Sequence, residues 1–305
     1  MTTHFGPARV PSRESPEAAV ELLVERGYTA CEIDFEGGFW MKPEWEWAGR
    51  LGELAREHGI ALSVHSPIAA ILGHLPDDEQ KRKRAFGMLD HTAGVAVACG
   101  AGVVVVHPGY LLGRPREAAL GSVAKDLSDL RERLEAKERS VDFGVEIMGR
   151  VRELGTAEDV FWLAARFEWV RPVIDFAHLH AVTDGAFVAE ETFAGILAAA
   201  DELLDPEKPF HVHFSDIAYA SLPPARLPTG VARGGNETRH LPYGEGTLRA
   251  EPLRDALARF DRPATVISES PDEASHQAIR AVLQAVGRTR PVATANKKGR
   301  PGRRP

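Results

Sequence analysis

The sequence predicts a single (β/α)₈ barrel, the α/β fold known as a TIM barrel, in which parallel strands alternate with helices. Short apolar segments with the period of strands alternate along the chain with longer segments of helical period. We count eight strand segments, and the run VVVV at 103–106 is typical of a strand that is buried on both faces. A doubly wound open sheet is the main alternative, but no glycine-rich phosphate loop follows the first strand.

Strand and helix signals cover most of the chain. Ser15 followed by Pro16 predicts the start of the first helix, and Thr156 predicts the start of a later one. A chain of 305 residues with 44% hydrophobic content fits one barrel domain over residues 1–290. The predicted strands are residues 4–10, 30–35, 60–65, 103–107, 142–147, 172–176, 210–214 and 264–269.

Composition excludes several classes of protein. No run of about 18 apolar residues appears, and the N-terminus lacks the apolar core of a secretory signal. Cys31 and Cys99 are the two cysteines and form no CxxC pair, so neither a disulfide framework nor a thiolate zinc site is predicted. We therefore expect a monomeric, cytoplasmic protein with no membrane partner.

Charge is divided unevenly along the chain. The formal charge is −7, and removing the five positive charges of residues 291–305 leaves −12 on the rest. Residues 1–290, the acidic body of the protein, should therefore bind polyanions poorly in general, although cations at a metal site would offset part of this charge. The tail, rich in Gly, Pro and basic residues, is predicted to be disordered and either solubilises the protein or holds nucleic acid loosely.

Metal-ligand side chains recur at the ends of the predicted strands, and the carboxyl ends of barrel strands form one face. Imidazole and carboxylate groups together suit zinc, or manganese where oxygen ligands dominate. The D-x-x-H spacing of Asp175 and His178 lets both side chains point into the same mouth, where a buried, unpaired Asp would be costly without a cation. The candidates are His65, His107, Glu146, Asp175, His178, His213 and Glu269, with His240 in a predicted loop before the last helix.

The other histidines are assigned no chemistry. His211 is predicted to face the helices while His213 faces the barrel axis. The histidines left out of the site are His4, His58, His74, His91, His180, His211 and His276.

From about His4 to Pro271 the sequence resembles the endonuclease IV family of abasic-site endonucleases, within the xylose-isomerase-like barrels, and its archaeal-type branch in particular. The motifs that carry the resemblance are EIMGRVRELGT at 146–156, VIDFAHLHA at 173–181, HFSDI at 213–217, RHLPYGEG at 239–246 and ISESP at 267–271.

The resemblance implies two or three Zn²⁺ ions, with Mn²⁺ as an alternative. One ion would be held by His65, His107 and Glu146, and Glu146 would bridge to a second, which is also held by Asp175, His213 and Glu269. His178 and His240 would hold the third. Glu146 and Glu269 are the implied catalytic carboxylates. The implied reaction is hydrolysis of duplex DNA on the 5′ side of abasic sites, as in base excision repair, and two neighbouring divalent cations can drive it without a Ser or Cys nucleophile.

The sequence departs from the family pattern at two places. Thr238 stands where the family has an aspartate, two residues before the third-site histidine, and Glu237 or Glu245 is a candidate replacement. Ile68 and Ile71 stand where the family often has a tyrosine and an asparagine, so the contacts to DNA made by those groups are missing.

Two other functions remain open. A sugar isomerase or epimerase of the same superfamily would hold one metal with Glu146, Asp175, His213 and Glu269, and its substrate would be a small sugar. A barrel that has lost catalysis would serve as a binding module. The number of metal ions per chain distinguishes them: two or three zincs for the nuclease, one manganese or cobalt for the isomerase, and none for the module.

Overall fold

The structure is a computed structural model that describes residues 2–35, 45–226 and 233–285. Eight strands form one sheet in the order β1-β10-β7-β6-β5-β4-β3-β2, and the pairings along it are all parallel. The predicted barrel is confirmed. Its strands are β1 Thr3–Pro7, β2 Ala30–Ile33, β3 Ala61–His65, β4 Val104–Val106, β5 Phe143–Glu146, β6 Val170–Asp175, β7 Phe210–Phe214 and β10 Ala264–Ser268.

The barrel is nearly closed, and its seam lies between β1 and β2. The backbone N–H of Thr29 donates to Phe5 O at 2.9 Å, and the Phe5 N–H donates to Thr29 Oγ1 at 3.1 Å. A methyl group on Gly6 would lie 1.6 Å from the carbonyl oxygen of Ala30. Glycine at position 6 therefore lets the two end strands meet.

Helices surround the barrel, and their starts follow the sequence signals. Ser15 Oγ accepts from the Ala18 N–H with Pro16 in the first turn, and Thr156 forms a reciprocal cap with Asp159. The helices of the described residues are α1 Pro16–Glu25, α2 Trp45–Glu57, α3 Glu79–Cys99, α4 Arg116–Glu135, α5 Ala157–Ala164, α6 Phe176–Val182, α7 Glu190–Asp201, α8 Ala250–Leu257 and α9 Glu273–Gln284.

A two-stranded antiparallel hairpin, which the sequence did not predict, follows β7. It consists of β8 Asp216–Ser221 and β9 Gly235–Leu241. The prediction that His240 lies in a loop is wrong, because His240 belongs to β9 and pairs with Ile217. These strands carry polar residues on the solvent side and lack the continuous apolar run that marks the barrel strands.

Among the described residues, no helix is both long and apolar enough to cross a membrane. The predicted basic tail, residues 291–305, lies outside the described residues.

Candidate metal centre

The predicted ligand side chains come together at the carboxyl ends of the barrel strands. Three of them lie on strand ends, His65 on β3, Glu146 on β5 and Asp175 on β6, and His213 is the last but one residue of β7. Ligand atoms of these residues group into three overlapping sets, each within 4.8 Å of one another. We call them site A (His65, His107, Glu146), site B (Glu146, Asp175, His213, Glu269) and site C (His178, His240, Glu269).

Site A is formed by two imidazoles that approach the same carboxylate oxygen. His107 Nε2 lies 2.9 Å and His65 Nε2 lies 3.4 Å from Glu146 Oε2. His65 Nδ1 is 2.8 Å from the carbonyl oxygen of Ser66, which can only accept a hydrogen bond. The proton of neutral His65 therefore lies on Nδ1, and its Nε2 lone pair is left for a ligand in the mouth.

Site B uses the second oxygen of Glu146. His213 Nδ1 lies 3.0 Å from Glu146 Oε1 and 3.3 Å from Glu269 Oε1. Asp175 completes the group, and its Oδ1 accepts the His178 N–H at 2.8 Å as the N-cap of α6. Asp175 Oδ2 is buried and has no hydrogen-bond partner. Because its two oxygens face different histidine groups, Glu146 has the geometry of a bridging ligand.

Site C lies at the rim, between α6 and the hairpin. His178 Nδ1 is 2.9 Å from the carbonyl oxygen of Ile147, so its Nε2 faces the mouth. His240 Nδ1 is 2.6 Å from Ser215 Oγ, and His240 Nε2 is 3.7 Å from Glu269 Oε2. The two histidines are thus oriented by partners outside the site, as metal-binding histidines usually are.

Glu237 enters site C because β9 contains a β-bulge. Ala218 pairs with Arg239 and Tyr219 pairs with Glu237, which leaves Thr238 as the extra residue. Thr238 and Arg239 are both exposed. The extra residue turns Glu237 inward, so that its Oε2 lies 2.7 Å from His178 Nε2.

An ion pair holds the Glu237 side chain in this position, because Oε1 lies 3.0 Å from Arg150 Nη2. Glycine at position 149 leaves room for the carboxylate, since a Cβ at that position would lie 2.4 Å from Glu237 Oε2. Of the two replacements that the sequence offered for the missing aspartate, Glu237 contacts a site C histidine, whereas Glu245 is exposed in the turn after β9.

The prediction for His211 is wrong. Residues two apart on a strand point to the same side, so His211 and His213 both face the barrel interior, with ring centroids 5.5 Å apart. Between them lies Glu32 of β2, which sequence reasoning missed: its Oε2 is 3.1 Å from His211 Nε2, and its Oε1 is 3.1 Å from His213 Nε2. A charged residue inside the strand ACEI, with apolar neighbours on both sides, was the available signal.

The family assignment follows from comparison with known proteins. Residues 20–289 match the family described as xylose isomerase-like TIM barrel. The chain belongs to this family. It is 30% identical over 270 residues to a protein of Methanocaldococcus jannaschii called uncharacterized protein MJ0133, covering 88% of this chain and 91% of that protein.

Solved structures with the same fold include proteins whose names give different activities. A D-tagatose 3-epimerase-like protein is 21% identical with a TM-score of 0.68, covering 93% of this chain and 96% of that one. Endonuclease IV from Thermus thermophilus is 20% identical with a TM-score of 0.63, covering 93% and 97%. The protein IOLI, solved with a bound zinc atom, is 17% identical with a TM-score of 0.62, covering 92% and 95%. At these identities the likeness concerns the fold.

The electrostatics of this xylose isomerase-like barrel favour bound cations. Burial raises the pKa of Asp175 to about 6, since the attraction of His178 is offset by the nearby carboxylates Glu269 and Glu146. Burial also opposes ionisation of Glu146, but His213 and His107 hold its pKa well below the usual range. Buried carboxylates beside one another are costly unless a cation lies among them. The nitrogen and oxygen donors of the cluster, among them an Asp175 Oδ2 with no hydrogen-bond partner in the described part of the chain, therefore fit divalent ions.

The pKa values of two further side chains of the site, a histidine and a glutamate, are also shifted. Burial lowers the pKa of His65, but Glu146 reverses this effect and raises it to about 9. Burial raises the pKa of Glu237, but its contact with His178 lowers it to about 2. When a cation binds, each of these histidines must lose the proton on the nitrogen that faces the site.

A cavity of about 530 Å³ opens above the three sites. Its wall includes Arg9, Asp34, Ile68 and His276, together with ligand side chains of sites A and C. The cavity is large enough for a sugar or for one nucleotide of a polymer. Side chains at its rim therefore decide which substrates can enter.

Proposed function

We propose that the chain is a zinc-dependent phosphodiesterase of the endonuclease IV type, which hydrolyses DNA on the 5′ side of abasic sites in base excision repair. The observation that carries this proposal is the shared carboxylate of Glu146. His107 and His65 approach its Oε2, and His213 approaches its Oε1. Two adjacent cation positions on one carboxylate suit a phosphodiester, whose attacking and leaving oxygens both need stabilisation.

Sites A and B are the proposed positions of two Zn²⁺ ions, with Mn²⁺ as the alternative. Divalent cations bound there would activate water and act as Lewis acids toward a phosphate oxygen. Glu146 would bind the ions of both sites. Glu269 would link sites B and C, because its Oε1 faces His213 and its Oε2 faces His240. Asp175 Oδ2, which is buried, lies 3.3 Å from His178 Nδ1 and has no hydrogen-bond partner among the described residues, is the remaining donor of site B.

A third ion is proposed at site C, with Glu237 in the place of the family's aspartate. His178 Nε2 and His240 Nε2 both face this position, and Glu237 Oε2 lies close to the first of them. A third cation would stabilise the charge that develops on the leaving oxygen.

The rim of the mouth supports a polymeric substrate. Ile68, in the loop after β3, lines the cavity and is 55% exposed, so it is not packed into the loop. Tyr110 and Leu112, in the loop after β4, are 39% and 43% exposed. Exposed apolar side chains beside a catalytic mouth can wedge between bases where a nucleotide is missing. Arg9, whose guanidinium lies 2.8 Å from Asp34 Oδ2, also lies on the cavity wall.

A sugar isomerase or epimerase is the second candidate, and two observations favour it. The acidic body repels a DNA backbone, and the D-tagatose 3-epimerase-like protein has the same fold. Site B alone would hold the single metal of such an enzyme, with Glu146 and Glu269 placed to move protons. His65 and His107 would then be polar residues of the mouth without a metal.

The test is incubation of the zinc-loaded protein with a duplex oligonucleotide that contains one abasic site, beside the same duplex without the lesion. We expect incision only of the lesion strand, on the 5′ side, leaving a 3′-hydroxyl and a 5′-deoxyribose phosphate. A chelator should abolish the reaction, and added Zn²⁺ should restore it. Ketose sugars incubated with the manganese-loaded protein test the second candidate in parallel.

Metal analysis of the purified protein accompanies the assay. Two or three zincs per chain with incision support the nuclease. One metal per chain, together with sugar interconversion and no incision, would support the isomerase and contradict the nuclease. Absence of bound metal after dialysis against Zn²⁺ would contradict both.

A further inference from the structure

We propose that Glu32 is a positioning residue that fixes the proton of His213 on Nε2, so that His213 Nδ1 is free to bind a cation at site B. The inference rests on the metal centre of the proposed function and holds for either reaction. Glu32 lies on β2, an end strand of the sheet, and its buried side chain forms part of the cavity wall.

The first step concerns the two nitrogens of His213. Nδ1 faces Glu146 Oε1 at 3.0 Å and Glu269 Oε1 at 3.3 Å, the oxygens of site B. Nε2 lies on the opposite side of the ring, 3.1 Å from Glu32 Oε1. His213 Nε2 and Glu32 Oε1 lie within ion-pair distance of each other, and neither atom forms an aligned hydrogen bond with any group among the described residues, so each is left for the other.

The second step is the chemistry of the ring. A neutral imidazole has one proton, and the nitrogen that binds a metal must be the other one. When a cation occupies Nδ1, the proton must lie on Nε2, where the ionised Glu32, which can only accept, faces it. Carboxylates that hold the far nitrogen of a ligating histidine in this way orient the ring and increase its basicity.

The third step is that Glu32 is itself held in place. Its Oε2 accepts from Ser63 Oγ at 2.7 Å and lies 3.1 Å from His211 Nε2. Two donors therefore occupy Oε2 and leave Oε1 for His213. This arrangement also explains why His211, which has no direct place in sites A to C, faces the barrel interior.

A direct role of Glu32 as a ligand is the competing interpretation, because Glu32, His65, His213 and Glu269 also have ligand atoms within 4.8 Å of one another. The separation of Glu32 from Glu146 by the ring of His213 argues against it. Oε2 of Glu32 already contacts two donors, so only Oε1 could bind an ion, and Oε1 faces His213 Nε2. The two interpretations differ in the number of ions bound at saturation.

The variant that tests the proposal is Glu32→Gln, which keeps the shape of the side chain. The hydrogen bonds from Ser63 and His211 should keep the amide oxygen at the place of Oε2. The amide nitrogen would then face His213 Nε2 and donate a hydrogen bond to it. The proton of His213 would then move to Nδ1 and oppose metal binding. We expect the affinity for Zn²⁺, measured by competition with a chelator, to fall about 10- to 100-fold, with the same number of ions at saturation.

Ser63→Ala is the matched control, because it removes one donor to Glu32 and keeps the carboxylate. Its affinity for Zn²⁺ should fall no more than about fivefold, the effect of one neutral hydrogen bond. Melting of the metal-free variants shows whether each folds. A readout that needs no variant is the ¹⁵N spectrum of the zinc-loaded protein with labelled histidine, in which His213, assigned through His213→Asn, should keep its proton on Nε2.

Several results would overturn the proposal. Zinc affinity of Glu32→Gln within twofold of the wild type would remove the positioning role, as would a proton on Nδ1 of His213 in the zinc-loaded protein. One ion fewer at saturation would make Glu32 a ligand instead. A wild-type protein that binds no zinc contradicts the proposed function, whereas a zinc-binding wild type with an unaffected variant contradicts this inference alone.

Discussion

Glu146 and His213 face each other inside the barrel, with Glu146 Oε1 lying 3.0 Å from His213 Nδ1. The two residues come from β5 and β7 and are 1% and 0% exposed. Since the other oxygen of Glu146 faces His107, this one carboxylate joins sites A and B. Changes at Glu146 should therefore affect sites A and B together, whereas changes at His107 should affect site A alone.

Glu146→Gln is expected to lower turnover at least about a hundredfold and to reduce the metal content by one ion or more per chain. The amide cannot supply two negative oxygens to two cations. Single-turnover assays and elemental analysis on one preparation measure both effects. Glu132→Gln, on the exposed face of α4, is the matched control and should change neither. Full activity and metal content in Glu146→Gln would refute the shared-carboxylate mechanism.

His107→Ala distinguishes the two candidate functions. It removes a ligand of site A and leaves the residues of site B in place. We expect loss of DNA incision together with one ion, while an isomerase working from site B would keep nearly all its activity. The exposed His58 provides the control substitution His58→Ala. Undiminished incision by His107→Ala would show that site A takes no part in the nuclease reaction.

Glu237→Gln tests the proposed ligand of site C. The variant should bind one ion fewer at limiting zinc, because His178 Nε2 loses its carboxylate neighbour at 2.7 Å. Glu245→Gln, an exposed glutamate after the same strand, should bind as the wild type does. Adding Thr238→Asp to Glu237→Gln should not restore the ion, since the bulge leaves position 238 exposed. Restoration by that second change would mean that the bulge does not persist in solution.

Asp90 provides a prediction of stability against pH. It contacts Arg133 Nη2 at 2.9 Å, Arg139 Nη1 at 2.7 Å, and Lys137. Burial opposes ionisation of Asp90, but these three cations lower its pKa below the usual 3.8. Because the folded pKa is the lower one, the stabilisation is fully present above about pH 4 and is lost as the pH falls through the folded pKa.

Asp90→Asn should therefore lower the free energy of unfolding by about 1 to 2 kcal/mol at pH 7, since three partly exposed cations lose their partner. The difference from the wild type should shrink below pH 4. Urea unfolding at several pH values measures it, with Asp129→Asn, which leaves Arg82 its contact with Asp126, as a milder comparison. A difference that is constant from pH 7 to pH 3 would contradict the assignment.

The barrel was predictable because its signals are local. Strands buried on both faces consist of apolar runs that are visible in the sequence. The helix caps at Ser15 and Thr156 form with residues a few positions further along the chain. The hairpin was not predictable in this way. Its strands, β8 and β9, are paired across a connection between Ser221 and Gly235 and have no continuous apolar run. Tertiary contacts, among them those with α6 and Gly149, explain its position.

Most of the converging side chains were also predictable, since they lie at the ends of barrel strands or in the D-x-x-H turn, whereas Glu237 and His240 lie within β9. Their role as ligands stays a prediction. Glu237 was a candidate on sequence grounds, but its selection depends on a bulge that alternation alone does not reveal. Glu32 was missed because a single acid in an apolar strand has no partner within the sequence window, and its partners are 31 and 179 residues away.

The proposed ligands come from six barrel strands, their following segments and the hairpin, from His65 to Glu269. No part of the unfolded chain brings them together, so cations would bind the folded barrel alone and shift the folding equilibrium by mass action. At a zinc concentration 100 times the dissociation constant, each ion would add about 2.7 kcal/mol to the free energy of unfolding. Zinc supply would then govern the abundance of the folded protein as well as its activity.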